Sequence, residues 1–244
     1  MNKQSLYIII PAYNEEENII QVIDEWYQVI DNHQTDDMKS KLIIINDGSK
    51  DNTLSKALER AKMMPNCIVL DKPNSGHAKS CMYGYRYALD NNAEYIFQTD
   101  SDRQTNPDEF EPFWDNRSSD VVMGFRKSRG DGVGRLVISR TLRLVNLLLF
   151  RVKVKDANVP YRLMSATALK KACDVVPEDC NLGNVVLTVA FEKLGYRIKW
   201  LPITFAPREG GASMYNMKKF IKIGLDSIRE FYRINKILDK KVKK

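Results

Sequence analysis

The sequence predicts a protein of the α/β class, in which helices flank a mainly parallel sheet. Short apolar runs rich in β-branched residues recur along the first half of the 244-residue chain. After each run comes a segment in which apolar residues repeat with helical spacing. This alternation is typical of strand–helix–strand units, whose strands run parallel and are buried on both faces. Because no linker or internal repeat divides the chain, we expect one domain with a C-terminal extension.

The elements of the first half follow from this pattern in order. Strands are expected at residues 6–12, 41–47, 67–70, 94–99 and 120–125. Helices are expected between them, at residues 15–30, 51–63, 77–91 and 107–114. The last of these helices starts at Pro107, and proline suits the first turn of a helix because its missing N–H has no partner there.

The pattern changes after Phe125. A loop rich in Gly and Arg is expected first, followed by three helices and one more strand. The loop covers residues 126–134, the helices 135–151, 182–194 and 216–238, and the strand 198–205. Helix 135–151 combines leucines with arginines, so it suits either a membrane interface or a core position with its arginines reaching out to water.

Charge is distributed unevenly along the chain. The net charge is +7, but residues 1–125 hold 12 basic and 21 acidic residues, a net charge of −9. Residues 126–162 carry a net charge of +8, and residues 218–244 carry +7. A uniformly basic coat for nucleic acid would not include an acidic half, so we expect no nucleic-acid partner. The two basic segments fit phosphate groups and an anionic membrane surface.

Other sequence features bear on the cellular compartment. The four cysteines show no CxxC pair or metal-type spacing, which favours free cytosolic thiols. The first residues lack a signal-peptide pattern, and the apolar runs fall short of the roughly 18–20 residues that span a bilayer. We expect a cytoplasmic protein without a transmembrane helix, peripheral on the cytosolic membrane face.

Polar residues follow the predicted strands, where parallel sheets bind their ligands. Asp100, Ser101 and Asp102 follow a buried strand, and two carboxylates at this spacing can converge on Mg²⁺ or Mn²⁺. A solvated turn is the alternative for this tripeptide, since Asp-x-Asp is common by chance.

Two other strand ends carry candidate binding residues. Asp47 can accept hydrogen bonds from a nucleobase or ribose, or can belong to a simple strand-to-helix turn. Tyr13 could stack on a base and Glu15 could accept from a ribose hydroxyl, although both also suit a helix start. His77, at a predicted helix start, could lie near phosphates through the backbone amides there, or serve only as the helix entry.

Four motifs occur together in a set order. They read PAYNEEENI, NDGSKDNT, NSGHAKSCMYGYRYAL and QTDSDRQTNP. Over roughly residues 5–125 this ordered set resembles the family-2 inverting glycosyltransferases. The resemblance implies a GT-A-type single domain with a Rossmann-like sheet, a GDP- or UDP-linked sugar donor, and Mg²⁺ or Mn²⁺ held by Asp100 and Asp102. It also implies a set of donor-binding residues: Pro11, Tyr13, Glu15, Asp47, His77, Asp100 and Ser101.

The remaining chain is similar to the polyprenyl-phosphate branch of that family, the dolichyl-phosphate mannose synthase-like transferases. The matching positions are Gln104, Arg126, Arg135, Ser139, Asp156, Tyr161, Arg162, Arg208, Gly211 and Ser213. The resemblance implies catalytic roles for Asp102, Gln104, Arg126 and Asp156. It implies that the acceptor phosphate is bound by Arg126, Arg135, Ser139, Arg162 and Arg208. The sequence departs from the branch pattern at Asn46, Arg103, Pro160 and Met214.

The chemistry of transfer separates two acceptor classes. A lipid phosphate is already anionic and needs cationic clamps, for which the planar guanidinium of arginine is suited. A sugar hydroxyl, as in capsule or lipopolysaccharide synthesis, needs a general base, and Asp156, Glu178 and Asp179 are available. We expect sugar transfer to a polyprenyl or dolichyl phosphate, with the hydroxyl acceptor as the alternative. A non-catalytic binding protein would leave the strand-end carboxylates unexplained.

The family resemblance also predicts how the chain is divided. Residues 1–217 are expected to form the catalytic domain, with a nucleotide-sugar and metal half, 1–125, and an acceptor half, 126–217. Residues 218–244 are expected to form a basic amphipathic helix and tail. Helical spacing puts one basic stripe at Lys218, Lys222, Arg229, Arg233, Lys236 and Lys240. It puts an apolar side at Phe220, Ile221, Ile228, Phe231, Tyr232 and Leu238. Such a helix can bind a membrane or pack on the domain.

Overall fold

The short apolar runs form the strands of a seven-stranded sheet. The computed structural model describes residues 5–34, 40–126, 149–177, 180–206 and 230–240. The strands are β1 Leu6–Ala12, β2 Lys41–Asp47, β3 Cys67–Lys72, β4 Tyr95–Gln98, β5 Val121–Arg126, β6 Arg162–Ser165 and β7 Ile198–Ile203. Their order across the sheet is β3-β2-β1-β4-β6-β5-β7.

Helices cover both faces of this sheet, as the alternating pattern predicts. They are α1 Ile19–Asn32, α2 Thr53–Ala61, α3 His77–Asp90, α4 Glu111–Asp115, α5 Ala166–Val175 and α6 Gly183–Lys193. A single 3₁₀ turn, Pro107–Glu109, precedes α4. The predicted helix at 107–114 is therefore two short pieces, both of which have Pro in the first turn.

The core lies between the central strands and the helices on each face. All seven residues of β1 are buried, which explains the unbroken apolar run. Helix α3 lies very close to the sheet, since a Cβ added at Gly84 would approach the Ile45 and Ile9 side chains to 2.3 and 2.5 Å. Glycine is thus required at this position in the middle of α3, where the helix and the sheet are in close contact.

One strand and one helix of the acceptor half are absent from the sequence prediction. Strand β6 runs antiparallel to both β4 and β5, whereas the other strand pairs are parallel. It has four residues, begins with an arginine, and enters α5 directly, with Ser165 capping the helix by accepting a hydrogen bond from Ala168 N. No turn residue or apolar run marks such a strand, so periodicity does not reveal it.

Residues 230–240 are helical and pack on the domain. Phe231, Ile234 and Leu238 are buried, and the Phe231 ring lies 5.4 Å from that of Phe150. Lys193 Nζ donates to Asn235 Oδ1 at 2.7 Å. This part of the predicted helix therefore packs on the domain through its apolar face. The prediction for Tyr232 is wrong, because its side chain is 55% exposed beside the basic residues.

Two further expectations concern membranes and thiols. Among the helices in the described ranges, none is long and apolar enough to cross a membrane. All four cysteines are free thiols. The predicted helix 135–151 falls outside the described residues except for its last three positions, and the predicted helix residues 216–229 fall outside them entirely.

Candidate active site

The carboxyl ends of β1, β2 and β4 surround a cleft of about 490 Å³. Its lining includes every residue that the sequence pattern assigns to donor binding. These are Pro11, Tyr13, Glu15, Asp47, His77, Asp100 and Ser101, and Asp102 lies with them. The strand-end argument thus selects residues that are far apart in sequence and adjacent in the fold.

The first strand end forms the rim and floor of the cleft. Tyr13 is 43% exposed at the rim. Glu15 is buried and accepts a hydrogen bond from Asn18 Nδ2 at 2.9 Å, while its backbone N–H donates to Thr53 Oγ1. Ser101 Oγ donates to the Pro11 carbonyl at 2.9 Å and so ties the β1 end to the loop after β4.

Asp47 is held by the loop that precedes α3. Its carboxylate accepts a hydrogen bond from Lys72 Nζ. It also accepts from the backbone N–H groups of Ser75 and Gly76, both at 2.8 Å. Burial alone would raise the pKa of Asp47, but these donors outweigh it and lower the pKa below its ordinary value. The carboxylate is therefore ionised at neutral pH and organises the cleft wall.

Asp100 lies between an exposed and a buried partner. On the cleft side, His77 Nε2 is 2.8 Å from Asp100 Oδ1. On the core side, Gln98 Nε2 is 3.4 Å from the same oxygen, and Tyr85 Oη donates to Gln98 Oε1 at 3.1 Å. The nearby Cys81 sulfur and the Asp100 carboxylate raise the pKa of His77 well above its ordinary value, although burial opposes this.

The carboxylate oxygens of Asp100 and Asp102 are suitable ligands for a shared metal ion. Within the described residues, no group of three or more His, Cys, Asp or Glu side chains converges on one point. Two carboxylates alone leave most positions of an octahedral ion open, and Mg²⁺ commonly fills such positions with water and substrate phosphate oxygens. The residues present therefore fit a cation that binds together with a diphosphate.

Arg126 and Asp156 form a second polar centre at the same edge of the sheet. Arg126 ends β5, and its Nε and Nη2 donate to the two Asp156 carboxylate oxygens at 2.7 and 2.8 Å. The guanidinium also lies 4.8 Å from the Phe205 ring centre. Both side chains of the pair are about nine-tenths buried, so the arginine is fixed in position.

Comparison with known proteins agrees with this geometry. The family model "Glycosyl transferase family 2" matches residues 7–173, more than half of the chain. The chain belongs to glycosyltransferase family 2. The fold of this glycosyltransferase is also found in glucosyl-3-phosphoglycerate synthase from Mycobacterium tuberculosis, solved with Mn²⁺ and UDP-glucose. That structure aligns with a TM-score of 0.65 at 20% identity, over 92% of this chain and 77% of the other.

Several proteins similar to this glycosyltransferase are transferases named for polyprenyl phosphates. A dolichyl-phosphate beta-glucosyltransferase from Trichomonas vaginalis is 25% identical, over 97% of this chain and 77% of its own length. An undecaprenyl-phosphate mannosyltransferase from Micrococcus luteus is 26% identical, over 84% and 85%. The predicted family and the predicted GT-A fold are therefore confirmed, and these relatives are consistent with the predicted resemblance to the polyprenyl-phosphate branch.

Arg162 lies in the core of the transferase, and its side chain does not line the donor cleft. It is fully buried, and its guanidinium donates to the carbonyls of Val159 and Asn184 and lies 3.5 Å from Thr188 Oγ1. Burial lowers its pKa, although nearby groups oppose this. A side chain enclosed in this way cannot contact an acceptor phosphate in this structure, so the predicted clamp at Arg162 is corrected to a core position.

Gln104 also differs from its predicted catalytic role. Its Nε2 donates to the Ala206 carbonyl at 2.7 Å, and Ala206 N donates back to the Gln104 carbonyl at 2.8 Å. Its backbone N–H donates to Asp102 Oδ1 at 3.2 Å. Gln104 faces a neighbouring cavity of about 670 Å³ rather than the donor cleft. It joins the Asp102 loop to the chain after β7 and is better described as a positioning residue.

The remaining predictions fall on other parts of the chain. Arg135, Ser139 and Arg208 lie outside the described residues, as do the alternative bases Glu178 and Asp179. The sequence argument missed two residues behind the cleft, Gln98 and Tyr85. Gln98 ends a buried strand two residues before Asp100, and a polar side chain at that point was the available signal.

Proposed function

We propose that this glycosyltransferase moves a sugar from a GDP- or UDP-linked donor to a polyprenyl or dolichyl phosphate, with inversion at the anomeric carbon. The observation that carries the proposal is that the donor cleft and the Arg126–Asp156 pair lie at the same end of the parallel strands. Asp47 ends β2, Asp100 and Asp102 follow β4, and Arg126 ends the parallel strand β5. One centre suits a metal-bound diphosphate and the other an anion.

The donor cleft supports the first part of this proposal. Asp100 and Asp102 would hold Mg²⁺ or Mn²⁺, which would supply positive charge to the departing nucleotide diphosphate. Tyr13 would stack on the base, and the wall organised by Asp47 would contact the nucleoside. The Mn²⁺ and UDP-glucose present in the structurally similar mycobacterial enzyme are consistent with this assignment.

The Arg126–Asp156 pair favours a phosphate over a hydroxyl acceptor. Both Asp156 oxygens accept from Arg126, so this carboxylate is poorly placed to remove a proton from a hydroxyl group. The hydrogen bonds use Nε and Nη2, and Arg126 Nη1 makes no hydrogen bond within the described chain. A phosphate needs no base and can bind to this remaining fork of the guanidinium. Asp156 would then act by holding Arg126.

Lipid-linked acceptors also agree with the remaining expectations. The polyprenyl phosphates named for the relatives are membrane lipids, so the enzyme would work at the cytosolic membrane face as a peripheral protein. We retain the division into a donor half, 1–125, an acceptor half, 126–217, and a basic C-terminal helix and tail, 218–244. Arg135, Ser139 and Arg208 remain proposed acceptor residues on sequence resemblance.

A transfer assay tests the proposed function. Purified protein would be incubated with Mn²⁺ or Mg²⁺, labelled nucleotide sugars and polyprenyl phosphate, and the label in the organic phase would be measured. Label in extracted lipid, dependent on the metal, is the expected result. Donor hydrolysis without lipid labelling would favour the hydroxyl acceptor, and absence of donor binding would contradict both forms of the proposal.

A further inference from the structure

The chain just before Asp156 alternates between exposed and buried side chains. Arg151, Lys153 and Lys155 are exposed, whereas Val152 and Val154 are buried. All three basic side chains therefore present their charge to solvent, and the two buried valines between them hold this segment against the core. We call Arg151, Lys153 and Lys155 the basic strip.

The basic strip lacks carboxylate partners among the residues that the structure describes. None of its three side chains forms an ion pair in the described part of the protein, and the Lys155 ammonium lies over the Phe125 ring, 4.7 Å from its centre. Neighbouring cations are different, since Arg126 is paired with Asp156 and Lys193 with Asp239. Exposed cations that have no carboxylate partner within the described ranges can meet an external anionic surface.

The position of the strip relates it to the proposed acceptor site. It begins next to Phe150, whose ring packs on Phe231 of the C-terminal helical segment. It ends next to Asp156, which holds Arg126. The strip thus connects the helical segment, where Lys236 and Lys240 are also exposed, with the residue proposed to bind the acceptor phosphate.

We propose that the basic strip docks this protein on an anionic lipid bilayer, where it contacts phospholipid headgroups. Docking would bring the Arg126 centre to the surface that carries a lipid phosphate acceptor, so the biological purpose of the strip rests on the proposed function. A basic residue near an anionic leaflet strengthens binding by about fivefold, so three such residues should strengthen it by about 100-fold.

Vesicle flotation with the full chain tests the docking surface. Wild-type protein is expected to float with vesicles of phosphatidylcholine and phosphatidylglycerol, to remain behind with phosphatidylcholine alone, and to be released by salt. The R151Q/K153Q/K155Q variant should bind the anionic vesicles about 100-fold more weakly. The matched control is K62Q/K170Q/K171Q, which removes the same charge from exposed positions elsewhere and should remain within about threefold of wild type.

Equal losses in the two variants would overturn the proposal, as would wild-type binding by R151Q/K153Q/K155Q or no binding by the wild type. A transfer assay with a detergent-solubilised acceptor separates this inference from the proposed function. R151Q/K153Q/K155Q should keep wild-type turnover in detergent and lose turnover when the acceptor is in anionic vesicles. If neither wild type nor the variant transfers sugar in detergent, the proposed function is contradicted. The vesicle flotation result would then still test whether the basic strip binds the bilayer.

Discussion

The ligand edge of the sheet, which lies at the carboxyl ends of its parallel strands, has a donor side and an acceptor side that are built differently. On the donor side, β1, β2 and β4 are parallel, and each strand end contributes residues to one cleft. On the acceptor side, the antiparallel strand β6 lies between β4 and β5. Arg126 ends a strand parallel to those of the donor side and lies at the edge, whereas Arg162 begins β6 and is enclosed. Two arginines with similar predicted roles therefore have opposite surroundings.

The direction of β6 explains this difference. Because β6 is antiparallel, its first residue, not its last, lies at the ligand edge, and Arg162 pairs in register with Gln98 near the end of β4. Its side chain projects from the sheet into the layer occupied by α6, where it meets the Asn184 carbonyl and Thr188. A residue at the end of a strand can thus belong to the core when that strand lies inside the sheet and helices cover it.

The largest expected effect is on the donor side. Asp102→Ala should lower metal-dependent transfer by about 10³-fold, because the charge stabilisation of the departing diphosphate is lost. Initial rates of label transfer at a series of Mn²⁺ concentrations would measure this loss. Asp115→Ala, at an exposed position of α4, is the control and should leave the rate unchanged. Unchanged turnover in Asp102→Ala would contradict the metal assignment.

The next prediction compares the two arginines. Arg162→Met should lower the free energy of unfolding by about 3 kcal/mol, since buried carbonyls lose their charged donor. Arg126→Lys keeps a cation beside Asp156, so unfolding should change by about 1 kcal/mol or less. Its transfer rate should fall about 10²-fold, because lysine lacks the planar fork.

Urea unfolding and acceptor kinetics on both variants would check this contrast. An Arg162→Met protein with wild-type stability, or an Arg126→Lys enzyme with wild-type kcat/KM for the acceptor, would remove the distinction between the two sides of the sheet edge.

The same contrast explains how far the sequence could predict this molecule. Apolar runs such as Leu6–Ala12 are buried on both faces, so their pattern identified β1 and the carboxylates that follow the parallel strands. Strand β6 has four residues and enters α5 without a turn, so nothing in its pattern separates it from a loop. Family resemblance assigned Arg162 to the acceptor phosphate, and this prediction is wrong because the side chain is buried. The direction of a strand and the face on which a side chain lies depend on packing between distant segments.

A smaller effect on stability is expected at Lys72, whose ammonium group binds Asp47 in the wall of the donor cleft. Lys72→Met should destabilise the fold by about 2 kcal/mol at neutral pH, because the buried Asp47 carboxylate loses its ammonium partner. The lowered pKa of Asp47 contributes stability that is complete above the ordinary value of 3.8 and is lost as the pH falls through the lower folded value. In Lys72→Met the pKa should rise, so this acid dependence should weaken.

Urea unfolding at neutral and acidic pH would measure both effects. Lys79→Met, at an exposed site of α3, serves as the control and should match wild type at each pH. The difference between wild type and Lys72→Met should shrink as the pH falls below about 3.8. A difference that stays constant with pH would show that Lys72 acts through packing and not through the Asp47 charge.

The smallest predicted effect lies where the two sides meet. Burial raises the pKa of the Tyr85 hydroxyl, so it stays protonated and donates to Gln98, which in turn contacts Asp100. Tyr85→Phe removes this donor with little change of volume and should weaken Mn²⁺ binding about tenfold, as loss of partners behind a metal ligand does. Electron paramagnetic resonance of free Mn²⁺, with a nucleoside diphosphate present, would measure the affinity. Tyr83→Phe, at a half-exposed position of the same helix, should bind Mn²⁺ like wild type, and equal affinities in all three proteins would show that Asp100 is oriented without help from the core.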